Sequence, residues 1–355
     1  MKILQVTPRY PPRTGGVETH VKEISERLVE RDHEVVVHTA DLGQDVEGWE
    51  LRNGVEVHRH PGFSPGSAFH IAPEIVSAVR RSNADVVHAH NYHSLPVFFA
   101  ALGVTDERFV VTTHYHGESA SGFRDRLLSV YEPFGKWAVR QADEVIAVSE
   151  WERDRLQEDF GVDATVIPNG VEVERFASTE PEVHDRPYLL TVGRLEEYKG
   201  VQHVIRAMPE LEEYDLLVAG SGSYRRELER IASEVGVDDR VEFLGYVDDD
   251  RLPGLYAGAD VYVTLSEFEA YGMTVAEALA AGTPCVVRES GALVNWSEIG
   301  ECLSVSTTDR DTVADAVRRI SGATSDRSRV SGWDEVTEQV ETQYSRALTR
   351  SLGRT

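Results

Sequence analysis

Short β-branched runs recur along this 355-residue chain, separated by longer segments of helical periodicity. KILQVT, EVVVHT, ADVVHAH, RFVVTTH and ADEVIAVS read as strands in the first half; YLLTVG, YDLLVAG, RVEFLG, ADVYVTL and TPCVVR do so in the second. The runs are mostly apolar throughout rather than alternating, the pattern of strands covered on both faces. Segments 17–31, 73–81, 123–142, 151–160, 224–235, 275–281 and 312–320 read as helices. Such alternation requires parallel pairing through right-handed crossovers. The expected fold is α/β, with two Rossmann-like, doubly wound parallel-sheet domains facing a central cleft. The length suits two domains of ~100–200 residues each.

Pro168-Asn169-Gly170 is turn chemistry and marks the boundary. Residues 177–187 are polar, contain Pro181 and Pro187, and read as an interdomain linker. The expected parts are therefore 1–169, 170–332 and a tail, 333–355. The tail is helical over 333–348 and is expected to pack back on the first domain. In doubly wound sheets ligands sit outside the carboxyl ends of the strands, so the motifs at those ends carry the functional argument.

Charge narrows the partners. Lys+Arg 36 against Asp+Glu 61 gives −25. Nucleic acid is excluded as a partner, because phosphate binding needs a basic face. Only Lys2, Lys22, Lys136 and Lys199 are lysines; the remaining basic residues are arginines. Excess carboxylate with almost no lysine matches a surface adapted to a salt-loaded cytoplasm, as in a halophilic archaeon, where salt screens the repulsion. No apolar run approaches the ~20 residues of a membrane helix. The opening MKILQVTPRYPP predicts no secretory signal. Cys285 and Cys302 are the only cysteines, which implies no disulfide framework and a reducing, cytoplasmic setting.

Three strand ends carry chemistry. The first strand runs into TPRYPPRTGGVETHV, where Gly15-Gly16 precedes a helix start and lets backbone N–H groups approach an anion. It is not the G-x-G-x-x-G dinucleotide fingerprint, which excludes a dinucleotide oxidoreductase. In VGRLEEYKG, Arg194 and Lys199 lie between a strand and a helix, and a guanidinium fork with an ammonium suits a diphosphate. In SEFEAYGMTVAEALAAGTPCVV, Glu269 precedes Gly272 and a helix carrying Glu277 eight residues on. The helix start at Met273 and Thr274 offers N–H donors to phosphate. Glu269 can accept from sugar hydroxyls and Glu277 from a ribose diol.

These pieces resemble glycosyltransferase family 4, the retaining, nucleotide-sugar-dependent group with the two-Rossmann GT-B fold. GGVETHV, DVVHAH, VTTHYHG, ADEVIAVSE, VIPNGV, VGRLEEYKG, LLVAGSG, VEFLGYV and EAYGMTVAEALAAGTP occur in the family's order over about nine-tenths of the chain. Ala270 departs from the glycine or serine common at its position. The resemblance implies an acceptor-side first domain and a donor-binding second domain. It implies that Gly16 lies against the donor diphosphate and that Arg194 and Lys199 neutralise it on leaving. Glu269 holds the transferred sugar, Gly272, Met273 and Thr274 supply backbone donors, and Glu277 binds ribose. Val247 touches the base through its backbone. His114, or His116 as its rival, is the acceptor-side histidine.

The implied reaction is sugar transfer from a UDP- or GDP-sugar to a hydroxyl acceptor with retention. No carboxylate is placed as a covalent nucleophile, so front-side displacement is expected, with no metal and no cofactor. His88, His90, His93, His114 and His116 at two strand ends have spacing that could bind zinc; with no cysteine nearby, hydrogen-bonding roles are preferred. The alternatives are a nucleotide-sugar 2-epimerase of the same fold and a non-catalytic sugar-nucleotide-binding protein. Over 119–142, Arg124, Arg126, Lys136 and Arg140 interleave with Phe123, Tyr131, Phe134 and Trp137. This segment reads as a packed helix or as a peripheral contact at the inner membrane face meeting a lipid-linked acceptor.

Overall fold

The structure, a computed structural model, describes residues 1–64, 69–117, 122–298 and 301–350; the side chains of 122–128 and 350 lie outside that description. The chain divides into two compact units. Met1–Gly170 together with the segment from Trp333 onward forms the first, and Val171–Gly332 the second.

The first unit holds strands β1 (Lys2–Thr7), β2 (Glu34–Leu42), β3 (Trp49–Arg52), β4 (Val55–Pro61), β5 (Val86–His90), β6 (Arg108–Thr112), β7 (Glu144–Ala147) and β8 (Thr165–Val166). Their order is β3-β4-β2-β1-β5-β6-β7-β8. Only β3 runs antiparallel to its neighbour among the pairs described. β1 pairs with β2 on one side and β5 on the other, so the order reverses between β1 and β5. β5 is wholly buried, His88 and His90 included. The Gly16–Glu30 helix turns His20, Val21, Ile24 and Leu28 inward, and each fully buried aliphatic side chain contributes ~1.5–3 kcal/mol. The Trp333–Arg350 helix docks within this unit: Tyr344 is buried beside Gln5 and His88, and Arg31 pairs with Glu341 at 3.3 Å.

The second unit holds β9 (Tyr188–Val192), β10 (Asp215–Ala219), β11 (Val241–Gly245), β12 (Val261–Thr264), β13 (Cys285–Arg288) and β14 (Cys302–Val305). The order is β11-β10-β9-β12-β13-β14, all parallel. Here the reversal falls between β9 and β12. Leu189, Leu216, Val218, Val261, Val263 and Val286 are fully buried and form the sheet's contribution to the core.

One expectation needs correction. Residues 177–187 are not an interdomain linker. They belong to the second unit, where the Glu182 N–H donates to Gly254 O at 2.9 Å and Arg251 pairs with Glu182 at 2.6 Å. Polar, proline-bearing chain fits a pinned surface strap as well as a linker. The structure adds a β3–β4 hairpin turning at Asn53-Gly54, both at positive φ (48° and 81°), which is strong hairpin-turn chemistry. It also adds β8 and β14, and the helices Pro96–Gly103, Val173–Ser178, Val201–Ala207, Leu252–Gly258 and Leu293–Trp296, which are too short to show a period in the sequence.

Candidate active site

In the second unit the sequence-predicted residues gather at the carboxyl ends of β9 and β12, where the strand order reverses. β9 ends at Val192 and passes through Gly193 and Arg194 to a short 3-10 turn, Glu197–Lys199. Gly200 then takes φ 74°, and a Cβ there would strike the Leu265 carbonyl just beyond β12. That close approach brings Lys199 beside the β12 loop. Lys199 Nζ lies 2.5 Å from Glu269 Oε1, with each side chain about a fifth exposed. Burial opposes the charge on Lys199, but Glu269 and Tyr198 outweigh it and raise the ammonium's pKa above its ordinary value. Arg194 Nη2 donates to Tyr198 Oη at 2.8 Å. Arg194, Lys199 and Glu269 share one small cup with Thr191, Gly193 and Thr264.

Gly272 follows at φ 95° and caps the Met273–Ala281 helix. A side chain there would meet Leu293 at 3.0 Å and Trp296 at 3.2 Å. Met273 and Thr274 are thus the first two helical residues, where N–H groups lack an intrahelical partner. Glu277 lies one turn further, and Tyr256 Oη donates to its Oε2 at 2.8 Å. Burial pushes the Glu277 carboxyl up to about 7, against the lowering effect of Tyr256. Val247 follows β11, two strands from β9 along the same sheet edge. Tyr198 and Tyr256 escaped the sequence reading because nothing local distinguishes them from core tyrosines.

Gly16 and His114 belong to the first unit. Gly16 opens the Gly16–Glu30 helix, and nothing lies within 4 Å of where its Cβ would be. Glu18 in the same turn is buried and paired with Arg9 at 2.6 Å. That pairing reduces the repulsion an anion at the helix start would meet. His114 follows β6 at φ 46°, an unfavourable region for a non-glycine residue that costs ~1–3 kcal/mol. Its ring is buried 4.8 Å from that of His20, and its Nε2 has no partner among the described residues. His116 is more exposed and stacks on His93 at 3.9 Å. Burial drives His88, His90, His93 and His114 well below the ordinary imidazole range, and His20 down to about 4, so these rings are neutral near pH 7.

A polar chain orders this histidine cluster. His90 Nε2 meets Gln5 Oε1 at 2.7 Å, Gln5 Nε2 donates to Tyr344 Oη at 3.2 Å, and that hydroxyl meets His88 Nδ1 at 2.7 Å. Since Gln5 Oε1 only accepts, His90 carries its proton on Nε2. His20, His90 and His114 place ring nitrogens within 4.8 Å of one another. Two nitrogens on one tetrahedral zinc sit roughly 3.3 Å apart, given bonds of ~2.0–2.1 Å. The three buried rings are grouped closely enough to ligate one metal ion. Beneath the His114 loop, Glu152 is buried, and burial raises its carboxyl to about 7 against the hydrogen bonds it accepts.

The profile of Glycosyltransferase Family 4 matches residues 14–175, and that of Glycosyl transferases group 1 matches 172–331. The chain is 34% identical over 330 residues to an uncharacterised glycosyltransferase of Methanocaldococcus jannaschii, covering 83% of this chain and 82% of that one. It is 29% identical to a GDP-mannose-dependent alpha-(1-6)-phosphatidylinositol monomannoside mannosyltransferase of Mycolicibacterium smegmatis, over 89% and 88% of the two chains. Among solved structures, sucrose-phosphate synthase of Thermosynechococcus elongatus aligns with TM-score 0.85 at 22% identity, covering 98% and 99%. HepE of Anabaena, solved with UDP-glucose, aligns with TM-score 0.72 at 19% identity over the full length of both chains. The fold of the two units is GT-B.

Proposed function

Because the chain belongs to glycosyltransferase family 4, we propose that this glycosyltransferase moves a sugar, with retention, from a nucleoside-diphosphate sugar to a hydroxyl acceptor. The observation that carries the reading is the Lys199–Glu269 pair set in one cup with Arg194, beside the Gly272-capped helix. Arg194 and Lys199 stabilise the leaving diphosphate, as preorganised charge does where negative charge develops. Glu269 accepts from hydroxyls of the transferred sugar. Met273 and Thr274, after Gly272, donate backbone N–H groups. Glu277, steadied by Tyr256, takes the ribose diol, and Val247 meets the base through its backbone. In the first unit, Gly16 offers a helix start to phosphate, and His114 is the acceptor-side histidine with His116 as its rival. The leaving diphosphate oxygen takes the proton of the incoming hydroxyl. These cations supply the charge stabilisation, so no metal enters the proposal.

The nucleotide is UDP or GDP: a relative uses GDP-mannose and a structural neighbour holds UDP-glucose. The acceptor proposed is a lipid-linked sugar or phosphate met at a membrane face. Its support is an apolar stripe on the Gly122–Arg140 helix, where Val130, Phe134 and Trp137 are 69%, 53% and 40% exposed. Tyr131 departs from that reading. It is buried, its ring 5.6 Å from Tyr92. Lys136 pairs with Glu132 and Arg140 bonds Phe160 O, so apolar contact outweighs charge there. Phe123, Arg124 and Arg126 have side chains outside the described residues. No described helix is long and apolar enough to cross a membrane.

The test is a panel of UDP- and GDP-sugars in molar KCl with EDTA present, read by thermal shift and by release of nucleotide onto hydroxyl acceptors. A ligand that binds only the native state raises stability by RT ln(1+[L]/Kd). One donor should stand out in both readouts; a flat panel in both would refute the proposal.

A further inference from the structure

One buried carboxylate has no part in the reading above. Glu152 lies in the first turn of the Glu150–Phe160 helix and is fully buried. Its sequence setting suggests a local task, since Ser149-x-x-Glu152 has capping-box spacing. Ser149 Oγ does accept from the Glu152 N–H at 3.1 Å. The carboxylate reaches further than a cap requires. Oε2 accepts from the Val148 N–H at 2.6 Å, just after β7. Oε1 accepts from the Thr113 hydroxyl at 2.5 Å and from the Tyr115 N–H. Thr113 and Tyr115 are the two neighbours of His114, the residue held at φ 46°. When ionised, the carboxylate offers two oxygens that only accept, which is what donors converging from two loops need.

We propose that Glu152 is a positioning residue for sugar transfer, tying the Thr113 hydroxyl and the Tyr115 N–H, on either side of His114, to the end of β7 and so fixing where the His114–His116 loop presents its imidazoles. The proposal rests on that loop being the acceptor side. Nothing in a helix-cap role alone would require the carboxylate to bridge to Thr113 and Tyr115. A glutamine in its place keeps one accepting oxygen and turns an NH2 donor toward N–H groups, so at least one contact reverses from attraction to repulsion.

The test compares Glu152→Gln with Leu156→Ala, a fully buried apolar truncation one turn further along the same helix. Three readouts are taken in molar KCl: amide hydrogen exchange over 113–117, affinity for UDP and GDP by thermal shift, and kcat and KM for transfer. Glu152→Gln should speed exchange at Tyr115 and lower transfer by at least ~10-fold, since a misplacement near 1 Å can cost ~100-fold, while nucleotide affinity stays within ~2-fold of wild type. Leu156→Ala should lower the melting temperature with a much smaller loss of transfer. Unchanged exchange at Tyr115 in Glu152→Gln overturns the clamp. Faster exchange with normal transfer, or equal transfer loss in the two variants, overturns the positioning role. Wild type that transfers from no nucleotide sugar sinks the functional reading instead, and the exchange arm then still decides the clamp.

Discussion

Lys199→Ala tests the charge logic of the donor cup. Removing one preorganised electrostatic stabiliser typically costs ~100- to 1,000-fold in turnover, or ~2.7–4 kcal/mol. Lys199 leaves behind a partner that worsens the loss. Glu269 sits 2.5 Å from Nζ with only about a fifth of its side chain exposed. Unpaired, its carboxylate faces the same cup that must take a diphosphate. At an effective dielectric of ~20, a like charge ~5 Å away costs roughly 3 kcal/mol. The expected result is a loss of at least ~100-fold in kcat, with weaker UDP or GDP binding. Glu269→Gln alone should bind the nucleoside diphosphate more tightly than wild type, because it removes the negative charge and frees the ammonium. The double variant should fall between the two singles, giving a coupling energy from the cycle. Kinetics are read by nucleotide release at 25 °C in molar KCl, and binding by thermal shift. Turnover of Lys199→Ala within ~3-fold of wild type would refute the diphosphate role. Binding by the double variant no better than by Lys199→Ala would show that the carboxylate does not act through charge.

Glu277 predicts a pH dependence. Its carboxyl is raised from 4.5 to about 7 by burial, so its stabilising contribution is complete below pH 4.5 and gone once pH passes about 7. The ionised form is the better diol acceptor, so nucleotide affinity should rise through pH 7. Tyr256→Phe removes the hydrogen bond that lowers this pKa and should move the rise to higher pH; an unmoved midpoint would detach Glu277 from the nucleotide. At net charge −25 the chain should fold cooperatively in molar KCl, where the Debye length is ~3 Å, and lose structure in dilute buffer. Undiminished circular dichroism at low salt would contradict this. With anionic liposomes in molar KCl, wild type should float and Phe134→Ser with Trp137→Ser should not; equal flotation of the two would remove this stripe as the docking face.

The alternation of buried strands with helical segments determined by itself that the chain builds parallel sheets, because hydrophobic periodicity reports local burial directly. It also put Arg194, Lys199 and Glu269 just beyond strand ends, with Glu277 on the helix that follows, where an open sheet leaves room for a ligand. The Asn53-Gly54 turn was equally local and could have been read. Tertiary structure decided what spacing does not contain. Lys199 and Glu269 are 70 residues apart and meet because β10 and β11 leave on one side of β9 and β12 returns on the other. The same reversal in the first unit sets β5 and β6 beyond β1 and gathers His88 and His90, and His114 after β6, near His20. Tyr344 joins that cluster from the far end of the chain, and Tyr256 reaches Glu277 from another helix. Burial then changed what the residues are. Imidazoles that would titrate near neutrality become neutral, two glutamates rise to about 7, and one of them, Glu152, turns from a helix cap into a brace for His114. Periodicity records which side of an element is covered. Which groups then face each other, and at what cost in lost water, follows only from strand order and the chain's return across the sheet.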